Sequence, residues 1–309
     1  MTSRRGTLAS TTDSGMPILV VRDNTPISST TESDGEYAPL TCNSLGAVRT
    51  APSTDAFVEI GVEQNDRVNT WSQDGYNGDI DVGTETIWPV GGSYIIPTTA
   101  ETLEITSSST ADDGLLQGTG AWFIQLIGIS ATRKRQVETL ILRGTTTVST
   151  SNTWLGVNVA HLRGVGTGTT NAGNITIVGG TSDNTYAYIE AGRSISRQLI
   201  FHSQLQTKVV VPWVRLNVLR SGSGAVNKAV ITFIVDVYDP TLLVKRQELE
   251  LRMDTSISNV MEYKPLPYTK FLSDDGGLVF VARVTSTTAD TVVNAQISFV
   301  EVLDADYTL

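Results

Sequence analysis

Residues 88–178 are a succession of short apolar stretches, each closed by Gly or by Ser, Thr or Asn. "AWFIQLIGI" (121–129) is almost continuously apolar, as a central strand covered on both faces would be. "ETLEITS" alternates Leu103 and Ile105 with Glu104, and "VETLILR" (137–143) puts Leu140 and Leu142 on one face, Thr139 and Ile141 on the other. A chain written this way folds as β-structure, because period-two alternation puts apolar side chains on one face of a pleated strand.

The style continues to the C-terminus, through "KVVVPWVRLNVL", "KAVITFIVDVYDP" and "GLVFVARVTST". In "TVVNAQISFVEVL", Val293, Ala295, Ile297 and Phe299 share one face, while Asn294, Gln296 and Ser298 take the other. "VKRQELELRM" has helix-forming residues, but Leu249 and Leu251 stand two apart among charges, which is the spacing of an exposed strand. Roughly a dozen strands at intervals near ~8–12 residues result, with no helix longer than ~10 residues. The predicted fold is all-β, with antiparallel β-sandwich or jelly-roll-like domains behind an extended N-terminal arm. The predicted divisions are an arm at 1–55, a first sandwich at 56–180 and a second at 181–309.

The first fifty residues read differently. Residues 1–15 are polar and aperiodic, and Pro17 and Pro26 bracket "ILVVRD" and exclude a helix. Asp34-Gly35 and Asn43-Ser44-Leu45-Gly46 are turn sequences. With so few apolar residues between the turns, the segment is expected to lie along another surface. The contacts assigned to it are Val20, Val21, Tyr37, Pro39, Leu40 and Val48. "AFVEIGV" (56–62) reads as a strand. "NDRVNTWSQDGYNGDIDVGTETIWP" reads as a turn-rich loop whose Trp71, Tyr76 and Trp88 plug a sandwich edge or form a contact surface.

Charge and cysteine content narrow the function. A net charge of −10 argues against nucleic acid and anionic membrane as partners, since both need clustered Lys and Arg. Arg133-Lys134-Arg135 is the one basic run, and it reads as a solvated turn between strands. Cys42 is the one cysteine, which excludes an internal disulfide framework and a multi-cysteine zinc site. The apolar runs fall short of the ~20 residues of a membrane helix. "MTSRRGTLASTTDSGMP" lacks the apolar core of a secretion signal, so the chain is expected to be soluble as made.

Candidate chemistry is thin. His161 and His202 have no second histidine at ligand spacing and read as structural. Cys42 lies in the arm, a poor place for a rigid nucleophile. "GVGTGTTNAG" (164–173) lacks both the phosphate-loop and the dinucleotide spacing and reads as a β connection. "DGYNGDID" and "SDDGG" offer aspartates, but in the pairing with glycine that plain turns use. Asn174-Ile175-Thr176 fits a glycosylation acceptor and reads as a strand start. No catalytic, metal or cofactor-binding residues are expected.

The arm "VVRDNTPISSTTESDGEYAPLTCNSLGAVRT" resembles an N-terminal segment of tailed-phage virion proteins, through Asp34, Gly35, Tyr37, Pro39, Leu40 and Gly46. The stretch from "IWPVGGSYIIP" to "GTTNAGNITI" is similar to the middle of virion structural proteins from cyanophages and other marine phages. The C-terminal half shares their layout, departing where Val211-Pro212 runs into Trp213 instead of a Pro-Ala-Gly turn. The resemblance implies a non-enzymatic component of a phage virion. One placement is a capsid decoration or cement protein whose arm crosses neighbouring subunits of a major capsid protein. The other is a tail, baseplate or fibre component at the host surface. It also implies symmetric homo-oligomeric assembly. A β-sandwich lectin or carbohydrate-active enzyme is the reading from another class.

Overall fold

Alternating side chains produce strands throughout the computed structural model, which describes residues 20–22, 40–42, 68–220, 230–239, 244–254, 260–263, 269–273 and 277–303. The described residues contain no helix. The chain divides into two units, Met1–Gln64 and Asn65–Leu309. In the first, β1 (Val20–Arg22) lies parallel to β2 (Leu40–Cys42), with Val20 opposite Leu40 and Val21 opposite Thr41. Three of the expected contact residues thus fall in this pair. Tyr37, Pro39 and Val48, the strand expected at 56–62, and Asp274 and Asp275 of "SDDGG" lie outside the described residues.

The second unit begins with β3 (Val68–Ile80), β4 (Gly83–Thr86), β5 (Glu101–Ser107) and β6 (Ala121–Ser130). It continues with β7 (Arg135–Ile141), β8 (Val148–Val165), β9 (Ile175–Gly179), β10 (Thr185–Ile189) and β11 (Ile200–His202). The remainder are β12 (Thr207–Arg220), β13 (Val230–Asp239), β14 (Val244–Asp254), β15 (Val260–Tyr263), β16 (Thr269–Ser273), β17 (Val279–Ser286) and β18 (Thr291–Leu303).

Three antiparallel sheets result. The first, six-stranded, runs β10-β9-β5-β8-β6-β7 and buries Leu103, Ile105, Ile124, Leu126, Trp154 and Tyr186 in its own core. The others form a sandwich: β11-β17-β13-β14 faces β15-β12-β18-β3, with β16 also paired to β12. Both sheets contribute to one core, in which Phe201 stacks on Phe299 at 4.6 Å and Phe280 tilts against it at 5.3 Å. Each such side chain contributes about 1.5–3 kcal/mol by leaving water. Trp88 and Tyr94 cover β11 and β17 from the other side, against Ile200, Val279 and Val281.

The turn-rich stretch around Trp71 is a 13-residue strand instead of a loop. β3 pairs with β18, placing Trp71 opposite Phe299, Gln73 opposite Ile297 and Gly75 opposite Ala295. A finished strand from the end of the chain supplies the ladder, which overrides the weak β-propensity of Asn, Asp and Gly. Gly75 is needed there, since a Cβ would fall 2.4 Å from Leu199 Cγ. "SYIIP" has no ladder and lies outside the strands; Tyr94 N–H bonds to Thr86 Oγ1 instead. β8 runs unbroken for 18 residues, serving β5 with its first part and β6 with the rest. "VKRQELELRM" forms β14, and the glycine-rich stretch joins β8 to β9, both as expected.

The six-stranded sheet meets the sandwich where β8 passes β11. Gly156 permits the approach: a Cβ there would sit 2.4 Å from His202 Nδ1. The backbone that carries the ring is fixed, because the main-chain N–H of His202 bonds to Asn158 Oδ1 at 2.7 Å and Asn158 Nδ2 donates to His202 O at 2.9 Å, and the ring's Nε2 lies 3.3 Å from the Tyr94 hydroxyl. Gly156→Ala is expected to lose about 1–3 kcal/mol of unfolding free energy in urea titration. A loss under about 0.5 kcal/mol would show that the ring does move.

Candidate functional site

Apart from the Arg283–Asp236 ion pair between β17 and β13, the buried polar side chains among the described residues that have most capacity for chemistry gather in two places, and both can be built from the strands upward. The first is the seam between the six-stranded sheet and the sandwich. Gln73 on β3 donates to Asn158 O (2.9 Å) and Ile200 O (3.1 Å). Gln198 donates to Val157 O (2.9 Å) and Tyr186 O (3.2 Å). With Asn158, these amides stitch strand edges that no ladder joins, so buried backbone carbonyls keep partners.

His202 ends β11 within this seam. Its Nε2 lies 3.3 Å from the Tyr94 hydroxyl, and the two rings meet edge to face. Burial, with the nearby Arg133 charge, pushes the imidazole pKa down to about 3. Burial likewise raises the Tyr94 phenol well above its ordinary range. Both groups are therefore neutral near pH 7. The adjacent Ser203 hydroxyl donates to Gln204 O and accepts from Leu278 N–H, so it is not the proton donor to a histidine base.

Beside them, Arg135 joins Glu301 at 3.1 Å and donates to Asn69 Oδ1 at 2.9 Å, while its guanidinium lies 4.3 Å over Trp71. Glu301 is 1% exposed and also accepts from Gln204 N–H at 2.6 Å. Arg135 therefore departs from the solvated turn expected of the basic run: the turn is there, but its last arginine locks β7 to β18. Burial lowers the Arg135 pKa, and Glu301 opposes that shift.

The second place is Asp112, fully buried in the loop after β5. Ser107 Oγ donates to Oδ2 at 2.5 Å, Ala121 N–H and Ala172 N–H to Oδ1 at 2.7 and 2.8 Å, and Gly173 N–H to Oδ2 at 2.9 Å. One carboxylate thus closes two loops, 108–120 and 166–174. Sequence reading passed it over, because Asp112 stands beside the turn pair Asp113-Gly114. That pair is indeed a turn, with Asp113 Oδ1 accepting from Leu115 and Leu116 N–H. Glu101 does a similar job at the surface. Desolvation pushes its pKa up, but hydrogen bonds from Ser182, Thr181 and Tyr186 outweigh that and hold it below its ordinary value.

The remaining candidates are dispersed. His161 on β8 bonds to Gln125 Oε1 at 2.9 Å, its pKa lowered by burial and Arg163. Cys42 ends β2. Most of "DGYNGDID" lies in β3, and Asn174 immediately precedes β9, the strand start expected. Among the described residues no group of three or more His, Cys, Asp or Glu side chains comes together to hold a metal. Trp71 and Tyr76 form no open aromatic platform: Arg135 covers one ring and Arg197 the other, at 4.3 and 4.4 Å.

No protein-family model and no curated protein matches the chain. Among solved structures it is similar to the VP2 subviral particle of infectious bursal disease virus at 9% identity, covering 76% of this chain and 71% of that one, with a TM-score of 0.20. The structure of the Gx strain of the same virus matches at 9% identity, 78% and 73% coverage, and a TM-score of 0.22. Scores this low carry no inference about role.

Proposed function

We propose that the chain is a non-enzymatic structural component of a bacteriophage particle, a capsid decoration or cement protein that engages neighbouring capsid subunits through residues 1–55. The phage setting rests on the sequence resemblance of the arm and of residues 88–178. The observation that carries the structural role is the use made of the buried polar groups. Asp112, Glu301, Asn158, Gln73 and Gln198 each hold one strand or loop to another through their side chains. Side chains that tie strand to strand in this way make a rigid body.

Cryo-microscopy of particles carrying the labelled chain tests the placement. Density on the head supports decoration; density on the tail, baseplate or fibres replaces it with the host-contact role. Deleting residues 1–50 is expected to leave the far-ultraviolet β signal intact and abolish attachment to particles lacking the protein. Attachment at the wild-type level would remove the arm from the account. A polysaccharide-degradation assay is expected to show no turnover, and turnover lost on changing a single carboxylate would overturn the non-enzymatic reading.

A further inference from the structure

We infer that the free edge of β7 is a strand-pairing surface for a second copy of this chain, joined antiparallel about a twofold axis through Thr139. The inference does not depend on the virion reading, since it concerns self-association of the isolated chain.

β7 ends the six-stranded sheet, and its pairing with β6 runs without a register shift from Ile129↔Arg135 to Phe123↔Ile141. Leu142 N–H bonds to Trp122 O and Ser130 N–H to Lys134 O. Even-numbered residues therefore bond to β6, and the N–H and C=O groups of residues 135, 137, 139 and 141 point off the sheet, as antiparallel alternation requires. Arg135 N–H is taken by Gln204 Oε1 at 3.1 Å. Among the described residues nothing takes the outward groups of Val137, Thr139 and Ile141.

The same three residues point their side chains to solvent, Val137 at 51% and Ile141 at 41% exposure. The face they share continues through Ile127 and Phe123 on β6 and Val159 on β8. Thr139, Gln125 and His161 form a polar row across it, satisfied within itself: Gln125 Nε2 donates to Thr139 Oγ1 at 3.0 Å and its Oε1 accepts from His161 Nε2 at 2.9 Å. Exposed Leu115 and Leu116 follow Gly114, which abuts Ile141 Cγ2.

Edges of this kind are normally blunted by charged side chains, lysine above all, by proline or by a bulge. β14, an edge of the sandwich, has Lys245, Arg246, Glu248, Glu250 and Arg252. β7 has no lysine, proline or bulge, and its one cation, Arg135 at the end of the strand, is held by Glu301 and Asn69. Its one acid, Glu138, turns inward, accepting from Ser151 N–H at 2.7 Å and from Asn152 N–H at 3.2 Å.

The pattern is self-complementary. With Thr139 opposite itself, Val137 faces the partner's Ile141, and each opposed pair exchanges two backbone hydrogen bonds. The cross-strand contacts are β-branched pairs and a Thr–Thr pair, all favourable in antiparallel ladders. For a chain of net charge −10, a second copy is approached at least electrostatic cost through a strip with no outward acid.

Sedimentation velocity and amide exchange on the full chain test this. The wild type is expected to self-associate reversibly, with the Val137, Thr139 and Ile141 amides protected as concentration rises. Thr139→Lys or Thr139→Glu sets like charges directly opposite and is expected to raise the dimer Kd about fivefold or more. An equimolar mixture of the two variants is expected to recover association as a heterodimer. A wild type that stays monomeric, amides that remain unprotected, variants that dimerise like the wild type, or a mixture that fails to recover would each overturn the proposal. The exchange result needs no variant, so a substitution that unfolds the chain leaves the test intact.

Discussion

Asp112→Ala is expected to lower the unfolding free energy by on the order of 4 kcal/mol. Three backbone N–H groups and one hydroxyl point at this carboxylate, which is wholly shielded from water. Removing it strands the donors of Ala121, Ala172 and Gly173, each costing about 1–3 kcal/mol where no water replaces the acceptor. Asp112→Asn keeps the shape but turns an NH2 toward some of those donors, so about half the loss is expected. Urea titration at fixed pH gives both values, with an unchanged slope showing that only stability has moved. A loss below about 1 kcal/mol for the alanine variant would mean that the two loops hold without their common acceptor.

Acidification is the second large effect. His202 titrates at about 3 in the folded chain, against about 6.5 in the unfolded one. Between those values the unfolded state binds the extra proton, so stability rises with pH and is lost as pH falls. The full contribution is present above pH ~6.5, and it declines by roughly 1.4 kcal/mol per pH unit below that. His161 is shifted in the same direction and adds to the upper part of the window. Glu101 acts lower: its depressed carboxyl contributes stability that is lost only as pH falls through its folded pKa. Unfolding titrations between pH ~6.5 and ~5 therefore isolate the imidazoles. His202→Gln is expected to flatten the dependence by most of one proton, whatever it costs at neutral pH. An unaltered slope in that variant would show that His202 does not carry the dependence.

The all-β architecture was legible because it rests on local alternation. Val293, Ala295, Ile297 and Phe299 all turn into the sandwich core, the face that their spacing assigned. Leu103 and Ile105 do the same in the six-stranded sheet. The candidate site was legible only as a series of denials. Nothing in "LIFHSQ" says that His202 is wedged between Gly156 and Tyr94, since these residues are brought together from 46 and 108 positions away along the chain. Asp112 was hidden by its neighbour, because Asp-Asp-Gly reads as a turn whether or not the first aspartate is buried.

What the amino-acid order determined alone is the pleated alternation and the punctuation by Gly, Ser and Asn, because both are settled within a few residues of chain. Tertiary structure decided which strands became neighbours. β3 acquires its strand from β18, more than two hundred residues later, and Arg135 leaves solvent only because Glu301 on that same last strand is there to meet it. The physical reason is that ladder bonds and buried charge pairs reward contacts regardless of separation along the chain, so their pattern becomes readable only once the sheets have closed.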